Sequence, residues 1–258
     1  MRYGKWLCAV LVGSMLVFSV GSCQIHDPNV ESWIKAKGGN VNDIHAEIND
    51  DGQTLMLLAA EAGRVDVLAW LKSRGVNVNA MNSSNTTPMH WAAWGGHVEA
   101  MKWLRERSAN INDKNEFDLT PIYNAAFKNH VEALQWLKEQ GVDINPKTKD
   151  GQTLMHAAAQ EGSLDAMKWL KEQGADVNAR NKLGQTPMHA ASARSHVNVM
   201  KWLKEQGADV NARDESGQTP LTLAGFSVRD GDAFTGNARD WLLTNGAKDE
   251  ESGLIIGE

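Results

Sequence analysis

The chain has 258 residues, of which 42% are hydrophobic and 22% are charged, and its formal net charge is −6. This balance is typical of a soluble folded protein, and it argues against both an intrinsically disordered chain and a body embedded in a membrane. An acidic chain without a basic tract repels a phosphate backbone, so nucleic acid is not an expected partner.

The first 22 residues differ in composition from the rest of the chain. Arg2 and Lys5 form a short positive region, and an apolar run follows from Trp6 to Val20. This pattern, which ends in small residues, is typical of a secretory signal peptide, and the run is too short for a comfortable membrane span. We expect residues 1–22 to be removed, which takes away two positive charges and leaves an exported mature chain with a net charge of −8.

Cys23 follows this segment directly, in the stretch VGSC at 20–23. The stretch resembles the lipobox of bacterial lipoproteins, in which the cysteine is lipidated and becomes the new N-terminus. The resemblance implies anchoring by lipid alone, because more than one acyl chain is enough to hold a protein at a membrane. The alternative is simple cleavage near Ser22 without a lipid. Cys8 leaves with the signal peptide, so the mature chain forms no internal disulfide.

A 33-residue period runs through most of the chain. The stretch MKWLKEQGADVNAR occurs at 167–180 and again at 200–213. Three residue types recur at the same interval, namely Thr54, Thr87, Thr120, Thr153, Thr186 and Thr219; Trp70, Trp103, Trp136, Trp169 and Trp202; and Asn79, Asn112, Asn145, Asn178 and Asn211. The period predicts a stack of modules rather than one or two globular domains.

Each module is predicted to contain two short helices. In the copy at 87–112, Thr87 can cap a helix and Pro88 fits its first position. A glycine pair at 95–96 ends this helix. From Val98 onward, apolar residues recur at helical spacing and leave charged residues on the other face. Such a unit cannot cover its apolar face by itself, so the copies must stack against one another.

The unit resembles the ankyrin repeat, whose TPLH motif has a counterpart in every copy. The counterparts are TLML at 54–57, TPMH at 87–90, TPIY at 120–123, TLMH at 153–156, TPMH at 186–189 and TPLT at 219–222. The family's segment after the second helix appears as GADVNA at 174–179 and 207–212. The resemblance implies an all-α solenoid of helix-turn-helix units joined by short β-turns or hairpins, with six units over residues 50–248.

The two ends depart from the period. Residues 23–49, which include Trp33, resemble a tether followed by the second half of a repeat, and we predict that they form an N-terminal cap. The last tryptophan interval, which ends at Trp241, is 39 residues rather than 33. It predicts an insertion at about 227–237 in the last repeat. We expect the tail 249–258 to be disordered.

The recurring tryptophans and histidines have structural interpretations. We predict that the tryptophans of the second helices form a ladder in which each ring covers the one beneath. His90, His156 and His189 recur once per repeat and cannot converge on one metal ion, as zinc ligands must. The resemblance implies instead that this histidine forms hydrogen bonds between neighbouring turns. The same interpretation applies to His97, His130 and His196.

The sequence contains no GxSxG elbow, no glycine-rich phosphate loop and no HExxH zinc helix. We therefore predict no enzymatic activity, no cofactor and no metal. An enzyme would have its active residues in the predicted insertion, where Arg229, Asp230 and Asp232 cluster. A polar loop without catalytic function is the simpler interpretation.

Differences between the repeats indicate a binding surface, because residues at turn tips and on first helices are free to vary. The second and third units carry large apolar residues there, and a tyrosine replaces the motif histidine; the five residues are Trp94, Phe117, Leu119, Tyr123 and Phe127. A cluster of such side chains at exposed positions is typical of an interaction site, so we predict that it binds a protein. The alternative is local packing, in which Trp94 and Phe127 cover one another and Phe117 and Leu119 hold an irregular turn.

The sequence thus predicts a monomeric, non-catalytic protein-protein interaction scaffold of the bacterial cell envelope. It would lie in the periplasm or at the cell surface and bind a protein through its concave surface. Two alternatives stay open, an immunity protein that neutralises a toxin and a secreted factor that binds a host protein. An envelope enzyme is the least favoured alternative.

Overall fold

The computed structural model describes residues 27–225 and 235–248, and in this part of the chain the regular structure is α-helical. The helices are α1 Pro28–Ala36, α2 Leu55–Glu61, α3 Val65–Ser73, α4 Pro88–Trp94, α5 Val98–Glu106, α6 Pro121–Phe127, α7 Val131–Glu139, α8 Leu154–Glu161, α9 Leu164–Glu172, α10 Pro187–Ala193, α11 Val197–Glu205, α12 Pro220–Gly225 and α13 Thr235–Thr244. From α2 onward they form stacked pairs, called here the first to the sixth repeat. Turns connect them, with isolated β-bridges at Asn40–Asp43 and Glu47–Thr54. The predicted all-α solenoid is confirmed.

Several predicted features lie outside the described residues. They are the signal peptide at 1–22, the lipidation site Cys23, the tail 249–258 and most of the insertion at 227–237, with Arg229, Asp230 and Asp232. These features stay predictions. Within the described ranges, none of the helices combines the length and apolar character that crossing a bilayer requires.

The first helix of each repeat lies at the centre of the stack. Fully buried alanines occur at 59–60, 92–93, 125–126 and 157–159. Because alanine is small, neighbouring first helices approach one another closely, whereas the second helices of successive repeats touch at far fewer positions. The stack therefore curves, with the first helices on its inner side.

The second helices bury one apolar face against the first helices. Five leucines occupy the same position in successive repeats and are fully buried, namely Leu71, Leu104, Leu137, Leu170 and Leu203. Burial of such a side chain stabilises the fold by about 1.5–3 kcal/mol. Neighbouring repeats bury part of each leucine side chain. The stabilisation therefore depends on the interfaces between repeats as much as on any single repeat.

Helix α1 takes the place of a second helix in front of the first repeat. Its Val30 and Ile34 are buried, and the helix contacts α3. The Asp27 carboxylate caps its start by accepting the backbone N–H groups of Asn29 and Val30 at 3.0 and 3.2 Å. Helix α1 thus covers part of the first repeat that has no preceding repeat against it.

The tryptophans of the second helices do not form the predicted ladder. Four of them are buried, namely Trp70, Trp103, Trp136 and Trp169. The ring contacts found among the described residues nevertheless join no two of them. Instead, the guanidinium carbon of Arg74 lies 3.6 Å from the centre of the Trp70 ring, and that of Arg107 lies 4.0 Å from the Trp103 ring. The prediction was wrong because the second helices lie too far apart for stacking, so an arginine of the same repeat covers these two indoles.

The motif histidines link each repeat to the next one. Nδ1 of His90 accepts the hydroxyl of Thr87 at 2.8 Å and its backbone N–H at 3.2 Å. On the other side of the ring, Nε2–H donates to the carbonyl of Leu119 at 2.9 Å. The same arrangement recurs for His156 with Gln185 and for His189 with Gln218. The predicted hydrogen-bonding role is confirmed, and these partners select the neutral ring with its proton on Nε2.

Two of the three repeats that lack this histidine, the first and the third, show what it contributes. Leu57 stands in its place in the first repeat and Tyr123 in the third. In both repeats the threonine hydroxyl, of Thr54 and Thr120 respectively, is buried without a hydrogen-bond partner. A buried unpaired polar group costs about 1–3 kcal/mol. The first and third repeats are therefore linked less tightly to the repeats that follow them.

The second set of histidines packs against glycines of the preceding repeat. Nε2–H of His130 donates to the Trp94 carbonyl at 2.9 Å. The same ring lies against Gly96, which has a left-handed φ of 71°, and a Cβ at Gly96 would collide with it. His97 lies against Gly63 and His196 against Gly162 in the same way. The interface therefore depends on the glycine both for its backbone conformation and for its missing side chain.

Among the junctions whose two positions are both described, the one between the third and fourth repeats replaces this glycine–histidine pair. At the glycine position stands Asn129, with a φ of 63°, and at the histidine position stands Ser163. Asn129 Oδ1 accepts the backbone N–H of Ala166 in the first turn of α9 at 2.8 Å, and the Ser163 hydroxyl donates to the Phe127 carbonyl at 2.6 Å. The smaller serine leaves room for the asparagine, so the two changes compensate each other.

We expect the free energy of unfolding to fall as the pH drops below about 6.5. Burial lowers the pKa values of His90, His130, His156 and His189 from the ordinary value of 6.5. Between the folded and unfolded pKa values the unfolded chain binds more protons, so stability is complete above the unfolded value and is lost as the pH falls toward the folded one. Urea titrations at about pH 7.5 and about pH 5.5 measure this change. The variant His156→Leu should show a smaller pH dependence than the wild type, because it removes one of these histidines. Equal wild-type stability at both pH values would contradict the expectation.

We expect Gly96→Ala to destabilise the protein more than Gly141→Ala. Both glycines have left-handed φ angles, 71° and 83°, so either substitution adds backbone strain of about 1–3 kcal/mol. The new Cβ collides with the His130 ring at Gly96, whereas it meets nothing within 4 Å at Gly141. Denaturant titration measures the difference. Adding His130→Ser to Gly96→Ala, which imitates the Asn129–Ser163 pair, should recover the excess loss, and equal losses for the two single variants would refute this account.

Candidate protein-binding site

Three aromatic side chains, Trp91, Trp94 and Phe127, meet at the C-terminal ends of α4 and α6 and are called here the aromatic cluster. Trp94 and Phe127 are the last residues of their helices, one repeat apart. Their rings stack with centres 5.6 Å apart and planes 21° apart. Trp91 meets Trp94 edge-on, with ring centres 6.3 Å apart. All three side chains are half-buried, so part of the cluster faces solvent on the first-helix side of the stack.

A lysine and a carboxylate complete the aromatic cluster. The Nζ of Lys128 lies 4.3 Å from the centre of the Trp94 ring and 5.3 Å from that of Phe127. The same Nζ pairs with Glu161 Oε1, from the fourth repeat, at 2.5 Å. A cation over an aromatic face at an exposed site contributes about 0.5–1 kcal/mol. The surface therefore combines apolar area, a positioned cation and a carboxylate from three successive repeats.

Among the described residues, two aromatic side chains occupy the positions of Trp94 and Phe127 in adjacent repeats at one junction, that of the second and third repeats. The equivalent residue of the sixth repeat, Phe226, lies outside the described residues. The first, fourth and fifth repeats hold Glu61, Gln160 and Ala193 at the positions equivalent to Trp94 and Phe127. Their side chains are charged, polar or small, and they offer little apolar contact area. A partner that binds through aromatic contacts would therefore be positioned at the second and third repeats.

The other predicted residues lie at the opposite end of α6. Phe117 is 58% exposed at the tip of the preceding turn. Leu119 is half-buried against the core, and its carbonyl accepts both the His90 ring and the Asn115 backbone N–H. Helix α6 has seven residues, a length of about 10 Å, which separates this turn from Phe127. The predicted residues thus form two separate groups rather than one patch.

Tyr123 is a correction to the predicted site. Its side chain is 9% exposed and belongs to the core, because the motif-histidine position points inward between two first helices. Burial raises the pKa of its phenol to about 12. A buried phenol cannot contact a partner without local unfolding, so Tyr123 acts in packing.

Sequence reasoning missed other exposed or contributing side chains. Trp91 lies three residues before Trp94, and this spacing places both side chains on the same helix face. The spacing alone could therefore have predicted that Trp91 contacts Trp94. Met81 and Leu183 are 56% and 58% exposed on other turns, and Leu183 occupies the position of Phe117 two repeats later.

The tip at Phe117 is also joined differently to the next tip. Neighbouring tips share backbone hydrogen bonds, from Ser83 to Asp51, Glu116 to Ser84, Lys182 to Asp150 and Glu215 to Leu183. Among the described residues, the link between the third and fourth tips is instead a side-chain bond, from the Lys149 ammonium to the Glu116 carbonyl at 2.9 Å. The tip at Phe117 is therefore joined by its backbone to the preceding tip and by a lysine side chain to the next one.

Metal binding has no support in the geometry of the described part of the chain. Across residues 27–225 and 235–248, no three His, Cys, Asp or Glu side chains are grouped so that they could hold a metal ion. The motif histidines also use both ring nitrogens in hydrogen bonds to their own and the next repeat. What the described surface offers is contact area and charge for another molecule.

Comparisons with known proteins agree with this architecture. The family model described as "Ankyrin repeats (3 copies)" matches residues 22–115 and 107–181, and that described as "Ankyrin repeats (many copies)" matches residues 170–224. Among solved structures, the chain is similar to the human ASB11 ankyrin repeat domain, with 26% identity, a TM-score of 0.61, and coverage of 76% of this chain and 85% of that one. No curated protein sequence matches the chain significantly. The family matches cover well over half of the sequence, and the chain therefore belongs to the ankyrin repeat family, whose repeats indicate a protein-protein interaction scaffold.

Proposed function

We propose that this protein is an exported, lipid-anchored scaffold of the bacterial envelope that binds a protein partner at the aromatic cluster on the concave side of the stack. The observation that carries the proposal is the stacked pair Trp94–Phe127 with Lys128 above it. Aromatic residues are enriched at the cores of protein interfaces, and tryptophan is over-represented among the residues that dominate binding energy. The neighbouring repeats hold the pair in place on rigid helices, so little ordering entropy is lost when a partner binds.

The envelope location is supported by the N-terminal sequence. The positive region, the apolar run and the stretch VGSC at 20–23 form a continuous leader pattern. Lipidation of Cys23 would place the repeats next to a membrane, with the tether and α1 between the lipid and the first repeat. The binding surface at the second and third repeats would then lie away from the membrane and be accessible to a partner.

We expect the double variant Trp94→Ala, Phe127→Ala to abolish partner binding while the fold is kept. The two rings are half-buried, so their removal costs far less stability than removal of a core side chain, and the loss of stacking itself is about 0.5–1.5 kcal/mol. The wild-type mature chain, cross-linked in cells of its native host, identifies the partner. The affinity of the purified partner is then measured for wild type and variant by calorimetry.

The matched control is Gln160→Ala, which changes the equivalent residue one repeat later. It should leave the affinity unchanged, because Gln160 lies outside the aromatic cluster. Circular dichroism and thermal unfolding must show that the double variant is folded. A folded double variant with undiminished affinity would contradict the proposed binding surface.

We expect the mature protein to carry a lipid on Cys23. Expression of the full chain in a bacterial host, followed by intact-mass measurement, should show a mature form that begins at Cys23 and is heavier than its sequence by the mass of the acyl groups. The variant Cys23→Ser should lose this mass and move from the membrane fraction to the soluble fraction. An unmodified mature wild-type chain in the soluble fraction would instead indicate a freely diffusing exported binder.

A further inference from the structure

The turn between α7 and α8 departs from the repeat pattern at Pro146. In three other repeats the residue at this position is an alanine whose backbone N–H closes a turn, namely Ala80 onto Asn77, Ala179 onto Asp176 and Ala212 onto Asp209, at 3.2–3.4 Å. Proline has no N–H, so this turn cannot close onto Asp143 in the same way. The absence of this turn hydrogen bond therefore follows from a single residue, Pro146.

A partly exposed aliphatic side chain accompanies the open turn. The residues equivalent to Ile144 in other repeats are buried, namely Val78, Ile111, Val177 and Val210. Ile144 itself is half-buried. It lines a cavity of about 240 Å³, called here the Ile144 cavity, whose lining also includes Leu154, Met155, Lys147, Arg180 and Asp176. The cavity lies between two successive turns and reaches the start of α8.

The size of the Ile144 cavity indicates what it can hold. Sites for drug-sized ligands and cofactors have volumes of about 300–1,000 Å³. The Ile144 cavity is smaller, and its lining contains the fully buried side chains of Leu154 and Met155. It therefore fits a single aliphatic side chain rather than a cofactor.

The charges around the cavity are predominantly positive. Lys147 and Arg180 are exposed, occupy the same position in successive repeats, and form no ion pair with any described residue. The Arg180 guanidinium donates to the Arg213 carbonyl, but with five N–H donors it can still bind a carboxylate. Asp176 also lines the cavity, and its Oδ1 accepts the Asn178 backbone N–H at 2.8 Å. In an acidic protein this local excess of cations favours an anionic ligand.

We propose that the Ile144 cavity is a second binding site, which takes a short acidic peptide segment of a protein partner. One aliphatic side chain of the segment enters the cavity, and flanking carboxylates bind Lys147 and Arg180. The site goes beyond the proposed function because it lies at the start of α8, whereas the aromatic cluster lies at the ends of α4 and α6. Binding at one site can therefore be lost while binding at the other is kept.

The test uses the mature chain with ¹³C-labelled methionine methyl groups and a short capped peptide in which one leucine is flanked by glutamates. Addition of the peptide should shift the Met155 methyl signal in NMR spectra and give saturable binding by fluorescence anisotropy. A peptide with serine in place of the leucine, and one with lysines in place of the glutamates, should bind at least about tenfold more weakly. An unmoved Met155 signal, or equal binding of the serine peptide, would overturn the proposal.

Variants of the chain locate the binding independently of the peptide. Lys147→Glu with Arg180→Glu should lower the affinity at least about tenfold, whereas Lys114→Glu, at the same position one repeat earlier and outside the cavity, should not. Pro146→Ala restores the N–H that closes the turn in other repeats, so it should weaken binding without lowering the unfolding temperature. Equal losses for Lys114→Glu and the double variant would show nonspecific charge attraction and overturn the site.

Discussion

The apolar faces of one repeat can be removed from water only by the next repeat, and the whole structure depends on this constraint. Alanines keep the first helices thin enough for close approach, and the resulting interface buries the turns as well as the side chains. Buried turns bring backbone carbonyls out of contact with water, and each of these needs a donor. The neutral motif histidine supplies it, since one ring nitrogen caps its own helix while the other binds the next repeat. The same interface thus buries apolar side chains and supplies hydrogen bonds to the buried backbone carbonyls.

The contacts that recur between successive repeats are most often replaced around the third repeat. There, Tyr123 replaces the linking histidine, Asn129 replaces a glycine, and the backbone bond that joins other described tips to the next tip is absent at Phe117. Pro146 opens the following turn. The Asn129–Ser163 pair compensates for the change of glycine, whereas the other departures leave a hydroxyl without a partner, a tip with one backbone bond fewer and an open turn. Both proposed binding surfaces lie in this region, which is held from either side by regular repeats.

Local charge differs from the net charge of the chain. The protein is acidic as a whole, yet Lys128 lies over two aromatic rings and Lys147 and Arg180 flank an apolar cavity. Potentials at a binding surface are set mainly by groups within a Debye length, about 8 Å at physiological ionic strength, so these cations determine which partner is attracted. The net charge therefore argues against nucleic acid as a partner, but it does not describe the local charge at the surfaces proposed to bind a protein.

The sequence by itself determined the period, the helix pairs, the stacking and the proximity of Trp94 to Phe127, because residues 33 apart must occupy equivalent places in adjacent repeats. It did not determine how far apart equivalent side chains lie or which way they point. The tertiary structure decided that the tryptophans of the second helices do not touch, that Tyr123 is buried, and that Pro146 is accompanied by a cavity beside Ile144. The physical reason is that a period specifies neighbours along the stack, whereas contact depends on inter-helix distance, backbone hydrogen bonds and side-chain direction, which arise only when the repeats pack together.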